Sequence, residues 1–290
     1  MPFSPGSSTN DIIGRGVAQR LTQALGQQVV VDNRPGAAGT TGSELVAKAP
    51  PDGYTLLVAI AGPLTVSTHV YKKIGYDAIR DFTPVARIAN VPYIMVVNNG
   101  LGVTNVKELI ALAKAKPGGI NFASSGIGSS PHLCGELLNT MADIHMVHVP
   151  YKGAGVATTD VLSGQMQMFC TGLTAVASLV KSGRLRPIAM ASLKRSTQMP
   201  EIPTVNEQGL KGFEVNSWSG IAAPAKTPRP IIEKLYKVIT QISKTEDLQN
   251  FLQSHGAELS VLGPEAFAAL IKSDSAKWAQ VVAAANILPE

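Results

Sequence analysis

Cysteine is nearly absent from this sequence. Cys134 and Cys170 are the only two in 290 residues. A disulfide-rich scaffold needs more cysteines and a zinc site needs a different spacing, so both classes are excluded. Two alternatives stay open: one disulfide between the two residues, or a free Cys134 that acts as a small buried apolar residue.

Long apolar runs are absent too, since YTLLVAIAGPLTV is interrupted at Gly62 and Pro63 after a strand-like segment. No membrane-spanning helix is therefore predicted. Aromatic residues make up only 5% of the chain, and the net charge of +5 is spread along it. Nucleic-acid-binding surfaces normally concentrate basic and aromatic residues. We expect no nucleic-acid partner, and the basic residues around Arg184 and Arg195 are interpreted as a solvated face.

Apolar residues, by contrast, make up 45% of the chain. They suffice for a large core, and 290 residues exceed the usual size of a single core, so two domains are predicted. The apolar spacing alternates between the helix and strand periods along the chain. Such alternation indicates an α/β fold, with helices on both faces of a mostly parallel sheet.

Several element boundaries carry their own signals. Apolar residues recur every four positions from Ile13 to Leu25, Ser8 and Asp11 form a possible capping box, and Gly26 marks a helix end. Later helices are predicted to begin at the caps Thr104 and Thr227 and at Pro264. Another helix is predicted to carry Pro131 in its first turn. The predicted strands are QVVVDN (28–33), TLLVAIA (55–61), INFASS (120–125), MVHVPY (146–151), QMQMFCT (165–171), RPIAMAS (186–192) and SWSGIAAP (217–224).

Two loops rich in glycine, serine and proline lead into predicted helices: FSPGSSTNDI (3–12) and SSGIGSSPHL (124–133). In open α/β sheets, ligands bind beyond the carboxyl ends of strands, where helix N-termini offer unpaired N–H groups. Neither loop contains lysine or arginine, and neither matches a phosphate- or dinucleotide-binding pattern. Neutral donors suit a carboxylate that must later be released. The alternative is that both loops are only serine-rich helix caps.

Several longer stretches resemble the Bug receptors, the extracytoplasmic solute-binding proteins of tripartite tricarboxylate transporters, also known as TctC-like proteins. The match is ordered and extends over essentially the whole chain. It is carried by PFSPGSSTNDIIGRGVAQRL, GQQVVVDNRPGAAGTTGSELVAKAPPDGYTLL, FASSGIGSSPHLCGELL, VHVPYKG and APAKTPRPIIEKL.

This resemblance implies a two-domain clamshell of the periplasmic-binding-protein type, similar to type II, with a mostly parallel sheet flanked by helices in each domain. Residues 1–101 and 222–290 would form domain 1, and residues 102–221 would form domain 2. The ligand cleft would lie between the two domains.

The resemblance also implies which residues bind the ligand. The loops at 3–11 and 124–132 would hold a carboxylate, partly through water. The glycine loop at 39–41 and residues 61–62 after the third strand would line the domain 1 wall, and the second wall would lie near Tyr151 and Thr171. The expected ligand-binding residues are Phe3, Ser7, Ser8, Thr9, Asp11, Gly39, Thr40, Thr41, Ala61, Gly62, Ser125, Gly126, Gly128, Ser129, Ser130, His132, Tyr151 and Thr171.

The implied ligands are small mono- or dicarboxylates, amino acids or aromatic acids. The implied partners are the membrane subunits of a transporter, with a monomeric receptor and no cofactor or metal. The family works in the periplasm and opens with an export signal, whereas no cationic and apolar leader is predicted in these residues. The family commonly carries an acidic residue and an amide where Cys170 and Thr171 stand. This difference predicts a ligand without a cationic amine.

Two other function classes stay open as alternatives. A cytoplasmic carboxylate-processing enzyme would need a nucleophile with a base, a metal set or a cofactor loop. His132 near Cys134 is a weak candidate for an activated thiolate. A ligand-sensing module would need a fused or partner effector.

The remaining histidines and the tryptophans are interpreted as structural. His145 and His148 stand three residues apart on a predicted strand, so their side chains would face opposite sides, which does not favour a metal site. Trp218 and Trp278 lie in apolar strand and helix patterns and are predicted to be core residues.

Overall fold

The computed structural model describes residues 1–2, 9–285 and 287, apart from the side chain of Ala38. Its chain forms two compact units. Among the described residues, unit 1 comprises Met1–Val91 and Trp218–Ala279, and unit 2 comprises Pro92–Ser217 and Gln280–Ile287. The domain boundaries expected at residues 101/102 and 221/222 stay a prediction.

Helices and strands alternate along the chain, which confirms the α/β class. The helices are α1 (Thr9–Leu25), α2 (Thr40–Ala47), α3 (Ser67–Val70), α4 (Val106–Ala115), α5 (Ser130–Ala142), α6 (Ala154–Ser163), α7 (Leu173–Lys181), α8 (Arg229–Ser243), α9 (Glu246–Ser254) and α10 (Pro264–Ala284). The strands are β1 (Leu57–Ile60), β2 (Phe82–Val97), β3 (Asn121–Ser124), β4 (Val147–Pro150), β5 (Met168–Gly172), β6 (Arg186–Met190), β7 (Asn216–Pro224) and β8 (Glu258–Leu262). Within the described part of the chain, no helix is long and apolar enough to cross a membrane.

In unit 1, antiparallel pairs build the sheet. β1 pairs with β7, from Leu57 opposite Ala222 to Ile60 opposite Ser219, and the first half of β2 pairs with β8. α1 packs on α8 and α9, and their facing apolar side chains form one core cluster. Trp218 and Trp278 are 2% and 3% exposed, which confirms their assignment to the core.

In unit 2, β4, β3 and β5 are parallel neighbours, and the second half of β2 runs antiparallel to β5 and β6. Phe122 lies opposite His148 on one side and Met168 on the other. The described sheet is therefore mixed, and its parallel part is confined to three strands. The antiparallel part arises at the two strands in which the chain passes between the units. β2 pairs antiparallel with β5, β6 and β8, and β7 pairs antiparallel with β1.

The two cysteines form a disulfide that joins α5 to β5. Cys134 and Cys170 have Cα atoms 6.2 Å apart, and both residues are fully buried. The expected burial of Cys134 is confirmed, but a free thiol is wrong, and so is the alternative of an activated thiolate. The single disulfide that the sequence left open is the arrangement that the fold adopts.

Several predicted element boundaries are wrong. Residues 28–33 form no strand, and Val30 is 75% exposed, because no strand among the described residues pairs with this segment. Met1 makes two hydrogen bonds with this segment. Its amino group donates to Asp32 O over 2.8 Å, and its carbonyl accepts from the Arg34 N–H over 2.8 Å.

Two predicted caps are displaced by one residue. Asn105 rather than Thr104 caps α4, because its side chain accepts from the Glu108 N–H while the Thr104 hydroxyl donates to the Glu108 carboxylate. Pro228 rather than Thr227 precedes α8. The sequence analysis predicts none of four elements that lack clear periodic signals: β2, β8, α3 and α9.

Candidate functional site

The carboxyl ends of β3, β4 and β5 lie at one edge of the unit 2 sheet, because the three strands are parallel neighbours. A helix follows each strand within a few residues: α5 after β3, α6 after β4 and α7 after β5. Three helix N-termini therefore meet the same sheet edge. Each contributes unpaired N–H groups and a partial positive charge, and together they favour an anion there.

The starts of these helices are free of acidic side chains. Within the described residues, none of α5, α6 and α7 has an aspartate or glutamate in its first turn. Gly153 and Gly172, which precede α6 and α7, make no side-chain cap. Only α5 is capped, by the hydroxyl of Ser129. The positive ends of α6 and α7 are thus left for solvent or a ligand.

The loop between β3 and α5, residues 125–130, is closed by local hydrogen bonds. The Ser129 hydroxyl donates to Gly126 O over 2.6 Å, and the Ser129 N–H donates to the same oxygen over 3.2 Å. The Gly126 N–H donates to Ser124 Oγ over 3.0 Å. Gly126 and Gly128 have φ of 127° and 71°, which side chains rarely adopt, so glycine is required for this turn.

Three other backbone N–H groups of the loop remain available as donors. No hydrogen bond between described residues uses the backbone N–H of Ser125, Ile127 or Ser130, and all three residues are half-buried. The Ser130 amide is the first of α5 and has no partner within the helix. These amides, more than the serine hydroxyls, are the donors available to an anion, since Ser129 has committed its proton to Gly126 O.

Two histidines, the buried His132 and the half-buried His148, support this loop. His132 is 4% exposed, and its Nδ1 accepts the Gly128 N–H over 3.1 Å. Its ring stacks on that of His148 with centroids 3.8 Å apart, and His148 Nε2 lies 2.6 Å from Ser124 Oγ. Burial lowers the pKa of His132 to about 4, and burial together with the neighbouring His132 lowers that of His148 to about 3. Both rings are therefore neutral near pH 7.

The polar groups beside the loop are also engaged. The Tyr151 hydroxyl donates to Asp160 Oδ2 over 2.7 Å, and burial and this carboxylate raise the pKa of Tyr151 to about 12. The hydroxyls of Tyr93 and Ser130 share a hydrogen bond. At the end of β5, Thr171 is buried and neutral, and Cys170 is tied to Cys134. Apart from the exposed Lys152, the groups described at this edge are neutral, and the nearby Asp160 carboxylate is occupied by Tyr151.

Comparison with known proteins assigns the chain to a family. The model of the tripartite tricarboxylate transporter family receptor, TctC, matches residues 13–287. The chain belongs to this receptor family. The receptor interpretation is thus confirmed over the enzyme alternative, because the family consists of solute-binding receptors.

Individual members are similar along nearly their whole length. The receptor is 37% identical to Protein BugT of Bordetella pertussis over 285 residues, which cover 97% of this chain and 86% of BugT. The structure of Rpa4515 from R. palustris, determined with adipate, has a TM-score of 0.90 at 34% identity and covers 100% of this chain and 96% of its own. MatC of Rhodopseudomonas palustris, with bound malate, has a TM-score of 0.84 at 28% identity, covering 97% and 96%. The expected two-domain fold class is confirmed by these likenesses.

The structure brings together the receptor residues expected in unit 2. They lie at the carboxyl ends of β3, β4 and β5 or in the segments that follow: Ser125, Gly126, Gly128, Ser129, Ser130, His132, Tyr151 and Thr171. Gly126 lies close to the Tyr151 carbonyl, where an added Cβ would be 3.7 Å away. His132 contributes as a support of the loop, since its side chain is buried.

The described ligand-binding residues expected in unit 1 lie in two places, one on neighbouring turns and one at the start of α1. Gly39, Thr40, Thr41, Ala61 and Gly62 belong to neighbouring segments, because the turn Ala37–Gly39 contacts the π-helical turn Gly62–Val66. Phe3, Ser7 and Ser8 lie outside the described residues, and with Ser8 one half of the predicted capping box does so too.

Asp11 and Thr9 lie on the first turn of α1. The Asp11 carboxylate is fully buried and accepts from Arg15 Nε over 3.0 Å and from Asn33 Nδ2 over 2.7 Å. It ties α1 to the segment after it, as a buried carboxylate with several donors commonly does.

Sequence reasoning placed Ser124 in the second loop but missed His148, its hydrogen-bond partner, as part of the site. Both face the same side of adjacent strands, because Phe122 is opposite His148 and Ser124 follows two residues later. The alternation in NFAS and VHVP indicates which residues share a face of each strand. It contains no information on the register between the two strands.

Proposed function

We propose that this receptor binds a small carboxylate at the loop of residues 125–130. The observation that carries the proposal is the set of unused amides of Ser125, Ile127 and Ser130 at the start of α5, beside the open starts of α6 and α7. Charge-assisted bonds from such amides to a carboxylate are stronger than bonds between neutral groups. Lysine and arginine are absent from this loop, so the ligand can be released again.

A dicarboxylate without an amino group is the proposed ligand class. Two relatives with known structures hold adipate and malate, and both ligands are dicarboxylates without an amine. At the end of β5, this receptor has a disulfide and Thr171, and Asp160 is engaged by Tyr151. An α-ammonium group would therefore find no uncommitted carboxylate at this strand end.

The receptor is further proposed to act as a monomer that delivers its ligand to the membrane subunits of a tripartite transporter. Membership of the family supports this partner. The disulfide supports a location outside the cytoplasm, because disulfides persist in oxidising compartments. The expected ligand contacts of the unit 1 residues, including Thr9 and Thr41, remain part of the proposal.

The test is a binding screen by thermal shift and calorimetry. Adipate and malate are compared with glutamate, which adds a cationic amine, and with 1,6-hexanediol, which lacks both carboxylates. A dicarboxylate at one hundred times its Kd should add about 2.7 kcal/mol to the free energy of unfolding. Equal binding of glutamate would contradict the ligand class, and binding of no carboxylate would contradict the function.

A further inference from the structure

The Ser124 hydroxyl has one proton and two acceptors within reach, Gly126 O at 3.1 Å and His148 Nε2 at 2.6 Å. Gly126 O already accepts the N–H and the O–H of Ser129, which use both of its lone pairs. His148 Nε2 is also the closer of the two acceptors, so we assign the Ser124 proton to it. This leaves Ser124 Oγ as the acceptor of the Gly126 N–H.

The donor directions determine the tautomers of both histidines. Because His148 Nε2 accepts a proton, the neutral ring carries its own proton on Nδ1. His132 is the opposite case, since its Nδ1 accepts the Gly128 N–H and its proton lies on Nε2, toward Glu136 Oε1 at 3.7 Å. The stacked pair thus receives two bonds that originate from loop amides, one directly and one through Ser124.

We infer that His148 is a positioning residue for ligand binding. It holds Ser124, which holds Gly126, while the His132 ring stacked against it holds Gly128. These bonds engage the Gly126 and Gly128 amides, and the Ser125, Ile127 and Ser130 amides of the same loop remain available as donors. The inference rests on the proposed function for the ligand, but the arrangement itself does not depend on a ligand.

Packing around the pair keeps it in place. The Phe122 ring lies 5.1 Å from His148 and 6.5 Å from His132, centroid to centroid, and both contacts are stacked. Gly135 of α5 lies against the same Phe122 ring, where an added Cβ would overlap it. The close approach of α5 to β3 is what brings His132 over His148.

The binding test separates the acceptor role of His148 from its bulk. His148→Phe keeps an aromatic ring in the stack but removes the acceptor, and His148→Gln restores an acceptor oxygen. Relative to the full-length wild type, we expect the Kd for adipate or malate to rise about three- to tenfold in His148→Phe and in Ser124→Ala. The Kd of His148→Gln should stay within about twofold of the wild-type Kd. The double variant His148→Phe/Ser124→Ala should bind no more weakly than Ser124→Ala alone.

Two measurements without ligand test the same arrangement. Ring nitrogen shifts in NMR should show His148 as the Nδ1–H tautomer and His132 as the Nε2–H tautomer, and the Gly126 amide should exchange faster in Ser124→Ala. An Nε2–H tautomer for His148, or unchanged exchange together with unchanged Kd values, overturns the inference. If the wild type binds neither adipate nor malate, the proposed function fails, whereas the tautomers and the exchange rates still decide the inference.

Discussion

The imidazole rings of His132 and His148 lie stacked with centroids 3.8 Å apart and planes inclined by 19°. Two imidazolium rings at this distance would repel each other, and burial opposes even one charge. The pair therefore connects the shape of the loop at 125–130 to the pH of the solution.

Acid should destabilise the receptor through this pair. The folded pKa of His132 is about 4 and that of His148 about 3, whereas an unfolded histidine titrates near 6.5. As the pH falls, the unfolded state binds protons before the folded state does. The contribution of the two neutral histidines to the free energy of unfolding is therefore fully present above pH 6.5 and is lost as the pH falls toward 3. The loss from the buried His132 is on the order of 3 kcal/mol. Urea denaturation at pH 7, 5 and 4 measures it.

A matched pair of variants isolates the effect. His148→Gln should show a shallower loss of stability between pH 6.5 and 4, while the exposed His145→Gln should follow the wild type. A His145→Gln curve that flattened as much as that of His148→Gln would contradict the assignment to the stacked pair.

The contact between α5 and β3 depends on Gly135. Gly135→Ala would place a methyl group into the Phe122 ring, and overpacking of this kind costs about 1–3 kcal/mol. Gly155 of α6 is the control, because an added Cβ there has nothing within 4 Å. Gly155→Ala should be neutral or stabilising by roughly 0.5–1 kcal/mol. Chemical denaturation of both variants tests the difference, and equal costs would argue against the close packing.

The Ser130 amide can be removed without removing the helix. Proline is favoured at the first helical position, and Ser129 has φ −74° and ψ 155°, which a following proline tolerates. We expect Ser130→Pro to weaken carboxylate binding about tenfold or more through the lost charge-assisted bond. Ser130→Ala, which loses the hydroxyl but keeps the amide, is the control in calorimetry. A larger effect in Ser130→Ala would assign binding to the hydroxyl instead.

The disulfide should contribute substantially to stability. Cys134 and Cys170 are 36 residues apart, and the chain-entropy model gives about 4 kcal/mol for a loop of this length. Cys134→Ala/Cys170→Ala should therefore unfold at lower urea concentration than the wild type, by up to that amount. A reducing agent should shift the wild type in the same direction and leave the double variant unchanged. Two reactive thiols in the folded, unreduced protein would show that the bond is absent.

Part of the fold was readable from local pattern. α1 ends at Leu25 before Gly26, whose φ is 65°, as the glycine signal predicts, and α10 begins at Pro264. The 16-residue strand β2 was not predicted, because its buried positions follow no alternation along a strand shared by both units. The predicted strand at 28–33 is wrong for the opposite reason, since valine-rich composition forms a strand only where a partner ladder exists.

The sequence by itself determined the α/β class, the two donor-rich loops and the family. These features depend on local periodicity, helix capping and sequence motifs, which can be recognised without knowing the tertiary contacts. Only the tertiary structure decided that Cys134 meets Cys170 and that His132 lies on His148. The physical reason is that both pairings depend on strand register and on how closely α5 approaches β3. Register and approach arise from packing between residues distant along the chain, which no local pattern records.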